Sequence, residues 1–405
     1  MRSLSVQSRD IVMLSTADWD ADLWTNKQHT ARSLRDAGCR VLYVESMGLR
    51  PPGVGDIRRI LRRLARVFRP PRVVEPGIWR WSPPSIPLQQ YAAIRQLNRL
   101  LSSATLSAWS WRIFRHGRPI VWTYSPLTTA LLRCRGRVVV YHCVDDIGAQ
   151  PQMPRDLIST YERALVALAL CVFVTSRELE QKWSRIREVT YLPNCVDADH
   201  FRPAKSARDP LAPIPHPRLG FVGAIATYKV DVALLTRICT ENPTWHLVMI
   251  GPRERTDEDV GALLDLPNVH EVGIVQYGQL PAYMHKLDVG LIPALSNDYT
   301  RSMFPMKFFE YLAAGLPVVT TPLHSLLEYQ HVASVVTPER FAEAITSTLA
   351  GEGAPLEQRL AAVARNTYAA RTHTMLAELD TRLGSRSDPD SRHASSQGRR
   401  EELGL

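Results

Sequence analysis

Cysteine, lysine and long apolar runs are scarce in this 405-residue chain. The six cysteines, at 39, 134, 143, 171, 195 and 239, include no Cys-x-x-Cys pair. That argues against a zinc site or a disulfide framework and fits a reducing cytosol. The longest apolar run, Ala164 to Val174, has 11 residues, too few to span a bilayer. The first ten residues, MRSLSVQSRD, lack the apolar block of a secretory leader, so a cytoplasmic location is expected. No period of 20–50 residues recurs, which argues against a solenoid. Only six residues are lysine against 43 arginines, so each lysine position carries information.

Apolar residues make up 45% of the chain and charged residues 22%, close to globular averages, and the length suits two large domains. The net charge is +9, but residues 50–72 alone hold eight arginines and one aspartate, a net +7. Charge gathered in one segment speaks against a nucleic-acid surface, which would spread it. Within that segment, IRRILRRLARVFR (57–69) sets Ile57, Ile60, Leu61, Leu64, Val67 and Phe68 at helical spacing, with arginines between them. The pattern predicts a helix bounded by prolines that lies on an anionic membrane surface. A helix packed on a sheet with its arginines in water is the competing reading.

Short β-branched runs alternate with helical stretches. IVML (11–14), RVLYVE (40–45), IVWTY (120–124), RVVVYH (137–142), LCVFVT (170–175) and VTYLP (189–193) read as buried strands. Asp22 to Gly38 reads as a helix closed by glycine. Five prolines between 203 and 217 mark a stiff linker, after which the alternation restarts. The expected organisation is α/β: a first domain over 1–202, the linker 203–217, and a second domain over 218–383 with a closing helix. A polar tail, 384–405, is expected to be disordered. Both domains should be doubly wound with parallel sheets, and ligands should sit beyond the carboxyl ends of the strands.

Two segments carry the chemistry. In SMFPMKFFEYLAAGLPVVTT (302–321), Pro305 suits the first turn of a helix and Gly315 its end. Lys307 and Glu310, three apart, share one helical face near the N-terminus, where free N–H groups favour phosphate. Phosphate end, lysine, then carboxylate is the order a nucleoside diphosphate requires. An ordinary exposed i,i+3 ion pair would look the same. In GFVGAIATYKVD (220–231), a strand ends at Gly223 and Lys229 precedes a helix, so Lys229 can meet a second phosphate.

Phe221, Gly223, Lys229, Asp231, Gly251, Val272-Gly273, Asp288 to Pro293 and Pro305-x-Lys307-x-x-Glu310 to Val319 resemble, in order and spacing, the retaining GT-B glycosyltransferases that use nucleotide sugars. The resemblance covers about the last 200 residues. It implies a GT-B fold, two Rossmann-like domains facing across a cleft. It also implies a donor site at Gly223, Lys229, Gly251, Pro305, Lys307 and Glu310, and no cofactor. Lys229 and Lys307 would oppose the leaving diphosphate, so no metal is expected. The sequence departs from the family's pattern at Ala224, where the family has arginine, and at Ser302, where it often has glutamate.

On the first domain, strand RVVVYH leads into His142, Asp145 and Asp146, candidates to hold or activate the acceptor, or else a core histidine and a capping aspartate. Asp18-Trp19-Asp20-Ala21-Asp22 has the Asp-x-Asp spacing that can hold a metal, but it precedes a helix, where aspartates are ordinary N-caps. Trp19 and Trp24 either stack on a sugar or wall the cleft. The function expected is transfer of a hexosyl group from a nucleotide sugar to a carbohydrate or lipid-linked acceptor, with retention, in envelope or exopolysaccharide synthesis. A nucleotide-sugar epimerase and a non-catalytic partner on the same frame are the alternatives.

Overall fold

The computed structural model describes residues 9–387, apart from 22, 47–68, 84–90, 116–117, 128–136, 151–152, 203–208 and 254–259. The arginine-rich segment therefore lies outside the described residues except for Arg69, as do most of the tail and the first part of the linker.

The first domain is an eight-stranded sheet in the order β3-β4-β2-β1-β5-β6-β7-β8. Its strands are β1 (Asp10–Leu14), β2 (Arg40–Val44), β3 (Arg72–Glu75), β4 (Ile78–Trp81), β5 (Ile120–Thr123), β6 (Val139–Cys143), β7 (Cys171–Val174) and β8 (Thr190–Tyr191). All pairs are parallel except β3 with β4. The central strands are buried on both faces, which is why they read as unbroken apolar runs. The hairpin β3–β4 is not among the expected strands, and neither is the long helix Ala92–Phe114. The apolar run 164–174 is divided between a helix ending at Leu168 and strand β7.

The second domain is a six-stranded sheet in the order β11-β10-β9-β12-β13-β14, parallel throughout. Its strands are β9 (Arg218–Val222), β10 (His246–Ile250), β11 (Val269–Gly273), β12 (Val289–Ile292), β13 (Val318–Thr320) and β14 (Ser334–Val335). The order reverses at β9 and β12, as it does at β1 and β5 in the first domain. Crevices for ligands form at such switch points.

Three helices matter for the site: α1 (Asn26–Asp36), α2 (Lys307–Ala313) and α3 (Tyr368–Ser387). Helix α1 is shorter than the expected 22–38 and ends before Gly38, whose φ of +87° suits only glycine well. Its N-cap is Thr25 in a capping box with Gln28, and no aspartate caps it. Helix α3 corrects the expected boundaries twice. It continues through Ser387, past the expected end at 383. It also crosses back to the first domain, where Met375, Leu376 and Leu379 join the core formed by Ile11, Met13, Leu34 and Tyr43. An apolar stripe on α3 needs a partner, and that partner is the first sheet.

Candidate active site

The wall formed by the second domain is built on close backbone approach. Strand β9 is followed by Gly223, with φ +155°, and β10 by Gly251, with φ +144°. A Cβ on Gly251 would lie 2.1 Å from the Gly223 carbonyl oxygen, so no larger residue fits without moving the backbone. The Gly223 N–H donates to the Ile250 carbonyl at 2.9 Å, holding the two strand ends together. The loop beyond carries Lys229, whose carbonyl accepts from the Leu295 N–H at 3.0 Å. Asp231 then caps the next helix, accepting from the Leu234 N–H at 2.9 Å. The loops after β9 and β12 are thus bonded together at the switch point, with Lys229 between them.

Helix α2 begins at Lys307, so Pro305 stands just ahead of it and not in its first turn. The Pro305 carbonyl instead accepts from the Phe308 N–H at 3.2 Å. Lys307 donates from Nζ to the Glu310 carboxylate. The i,i+3 pair therefore exists, but it is not surface decoration: Glu310 is only 3% exposed. A buried pair of this kind stands only where each partner is held. Tyr311 fixes the helix against the sheet. Its hydroxyl donates to the Gly220 carbonyl at 3.1 Å and accepts from the Val222 N–H at 2.8 Å. Gly290 leaves room for that ring, since a Cβ there would meet it at 2.6 Å. Ser302, in place of a glutamate, is buried behind the same loop.

The first domain faces this wall with the start of α1 and the end of β6. Lys27, 9% exposed, lies 5.7 Å from the centre of the Tyr124 ring. Burial lowers its pKa and the nearby Asp145 carboxylate partly restores it. Burial likewise raises the Asp145 carboxyl, opposed by Lys27 and by Lys229 from the other domain. Lysines of both domains thus act on one carboxylate. His29, two residues further along α1, stacks on Tyr368 at 4.7 Å and tilts against Tyr277 at 4.9 Å. Burial, then Lys307 and other cations, hold its pKa down at about 3, so it is neutral. Trp24 stacks on Tyr277 at 6.3 Å with Arg32 over its other side, while Trp19 is buried against Tyr43. Trp24 therefore walls the junction of the domains, and Trp19 belongs to the core.

Two expected acceptor-side residues, and Asp20 of the Asp-x-Asp run, are placed elsewhere. His142 is fully buried in the sheet, packed among Trp122, Tyr124 and Phe173, with Nδ1 at 3.1 Å from the Tyr124 hydroxyl. Burial and the cations Arg371 and Lys27 keep it neutral, so it is a core histidine and does not reach the acceptor. Asp146 accepts from Lys182 Nζ at 2.8 Å and is committed to that pair. Asp20 pairs with Arg80. Among the described residues no cluster of three His, Cys, Asp or Glu side chains is placed to hold a metal. Lys27 and His29 were not singled out from the sequence. The scarcity of lysine was the available signal, since three of the six act on the neighbouring Asp145 and His29.

Residues 216–351 match the family described as Glycosyl transferases group 1. The match covers most of the second domain and about a third of the chain. A Bacillus subtilis (strain 168) protein, TuaH, named for teichuronic acid biosynthesis glycosyltransferase activity, is 32% identical over 212 residues, 47% of this chain. That match spans 52% of the relative's length. The whole fold is that of sucrose-phosphate synthase from Thermosynechococcus elongatus, with TM-score 0.72, 18% identity and coverage of 93% of this chain and 100% of that one. Trehalose 6-phosphate synthase from Burkholderia multivorans superposes with TM-score 0.65 at 14% identity, over 94% of this chain and 100% of that one. Anabaena HepE, solved with UDP-glucose, gives TM-score 0.64 at 14% identity, over 92% of this chain and 99% of that one. The fold is GT-B, as the spacing of the motifs implied.

Proposed function

We propose that this chain is a glycosyltransferase moving a hexosyl group from a nucleotide-sugar donor to a carbohydrate or lipid-linked acceptor, with retention at the anomeric carbon. The observation that carries the proposal is that Lys27 and Lys229, from the two domains, act on one carboxylate, Asp145, while Lys307 acts on His29, two residues beyond Lys27. Such a site suits a group that leaves with negative charge. The bond between the sugar's anomeric carbon and the diphosphate oxygen breaks while the acceptor oxygen bonds to that carbon. The acceptor's proton passes to the departing diphosphate. Lys229 and Lys307 stabilise the charge that develops there, and Glu310 is placed to take ribose hydroxyls once Lys307 turns to the phosphate. Fixed lysine charge does this without a divalent cation, so activity should persist in EDTA. Activity lost to EDTA and restored by manganese would refute that part.

The relative named for teichuronic acid synthesis supports an envelope polysaccharide acceptor, and the neighbour solved with UDP-glucose supports a uridine donor as the first to try. An epimerase would need added acid–base groups at the sugar, and His142, the histidine offered for the acceptor, lies in the core. Incubation with labelled UDP-, GDP- and ADP-sugars tests the reading. Transfer or slow hydrolysis supports it; an isomerised donor, or nucleotide binding without turnover, would replace it with one of the two rivals.

Among the described residues no helix is long and apolar enough to cross a membrane. The arginine-rich segment 57–69 supports peripheral attachment at the inner face of the cell membrane, where lipid-linked acceptors lie. Salt-sensitive co-sedimentation with anionic vesicles, abolished by Arg→Gln changes at 58, 59, 62 and 63, is the expected result. Equal sedimentation with neutral vesicles would defeat it.

A further inference from the structure

The chain passes between domains twice, at 194–197 and at 366–368, and the two crossings lie side by side. The Val196 N–H donates to the Asn366 carbonyl at 3.0 Å, and the Tyr368 N–H donates to the Val196 carbonyl at 3.3 Å. Asn194 sits at this hinge, 4% exposed, with both ends of its amide engaged. Its Oδ1 accepts from Asn26 Nδ2 at 2.8 Å, at the first residue of α1. Its Nδ2 donates to the Phe304 carbonyl at 2.6 Å, in the loop that leads into α2. Beyond Asn26 the relay continues: Arg371 of α3 donates to Asn26 Oδ1 at 3.2 and 3.3 Å and to Thr30 Oγ1 at 3.1 Å. All of these side chains are buried.

A buried polar chain that crosses a hinge is costly unless every member is satisfied, and it tolerates few alternative arrangements. This one joins the two segments that carry the lysines. Asn26 is next to Lys27, and Phe304 is three residues before Lys307. The loop has a second tie, Ser325 Oγ donating to the Met303 carbonyl at 2.7 Å, but that bond lies within the second domain. Only the Asn194 bond ties the loop to the first domain among the hydrogen bonds described for it.

We propose that Asn194 is a positioning residue, which sets α1 against the Phe304 loop so that lysines from both walls meet the donor diphosphate together. The role rests on the transferase reading above. Asn194→Asp is the discriminating change. It keeps the size and the acceptor toward Asn26 but removes the donor to Phe304. Titration with UDP, GDP and ADP should show about tenfold weaker binding of whichever nucleotide the wild type holds, the equivalent of losing one hydrogen bond of this kind. In turnover, the KM for the donor should rise while the KM for the acceptor stays unchanged. A purely structural asparagine would lower the melting temperature and leave both constants as they were in the folded fraction, which would overturn the proposal. Should Asn194→Asp fold poorly, Arg371→Lys loosens the far end of the same relay and should shift the donor KM in the same direction. An unchanged donor KM there would equally count against it. If the wild type binds no nucleotide and transfers no sugar, the transferase reading is what fails. The relay is then judged by small-angle scattering: a broader interdomain distance distribution in Asn194→Asp supports it, and an unchanged one refutes it.

Discussion

The two walls of the cleft are assembled from different lengths of chain. On the second-domain wall, Gly223 and Lys229 are six residues apart, and Lys307 and Glu310 are three apart on one helical turn. On the first-domain wall, Lys27 on α1 and Asp145 in the loop after β6 are separated by 118 positions. Local backbone geometry places the first set. Sheet topology and the packing of α1 place the second. The difference teaches that a wall built on strand ends and helix starts can be written in short motifs, because those are local events. The opposite wall is gathered from distant strands.

The most severe way to break the second-domain wall is Gly251→Ala. The added Cβ would meet the Gly223 carbonyl oxygen at 2.1 Å, at a φ that favours glycine. A loss of about 3 kcal/mol is expected from strain of this kind, read as a lower urea midpoint. An unshifted midpoint would mean that the strand ends relax easily. Lys307→Ala and Lys229→Ala should each lower kcat by about 10²-fold, since each removes a charge opposed to the leaving group. Wild-type kcat in both would show that the site is misplaced.

The first-domain wall should be the acid-sensitive one. His29 has its pKa lowered to about 3 in the folded chain, against an ordinary value of 6.5. The unfolded state therefore binds the extra proton first, and the stabilising effect of a neutral His29 is present above pH 6.5 and lost as the pH falls toward 3. Between pH 6.5 and 5 that amounts to about 2 kcal/mol, with His142 acting in the same direction. His29→Phe keeps the aromatic stacking and should flatten the fall of melting temperature over that range. An equally steep profile would remove His29 as its source. The smallest effect separates neighbours. Asp145→Asn should reduce kcat/KM about tenfold by removing the carboxylate that both walls share. Asp146→Asn, whose partner Lys182 is outside the cleft, should leave kcat/KM within about twofold and cost only some stability. Equal effects on kcat/KM would erase the distinction drawn between the two aspartates.

Much of this arrangement was legible because its signals are local. Unbroken apolar runs mark strands covered on both faces, and Gly38 marks the end of α1. The spacing of Lys307 and Glu310 requires a shared helical face, though only the structure shows that their ion pair is buried. The hairpin β3–β4 escaped notice because its strands lie at the sheet edge and alternate weakly, with Val73 exposed. His142 looked reactive because residue type says nothing about depth. Strand β6 is covered on both faces, so each of its side chains, His142 included, lies in a core.

By itself the sequence determined the two α/β domains, the order of their central strands along the chain and the lysines and glycines of the second-domain wall. These follow from periodicity, from helix-end chemistry and from the backbone freedom of glycine, which act over a few residues. Tertiary structure alone decided that α3 returns to the first sheet and that Lys27 and Lys229 both act on Asp145. It alone decided that Asn194 bonds both domains at once. Those are encounters between residues more than eighty positions apart. The packing of whole sheets and helices brings them together, and no local propensity encodes it.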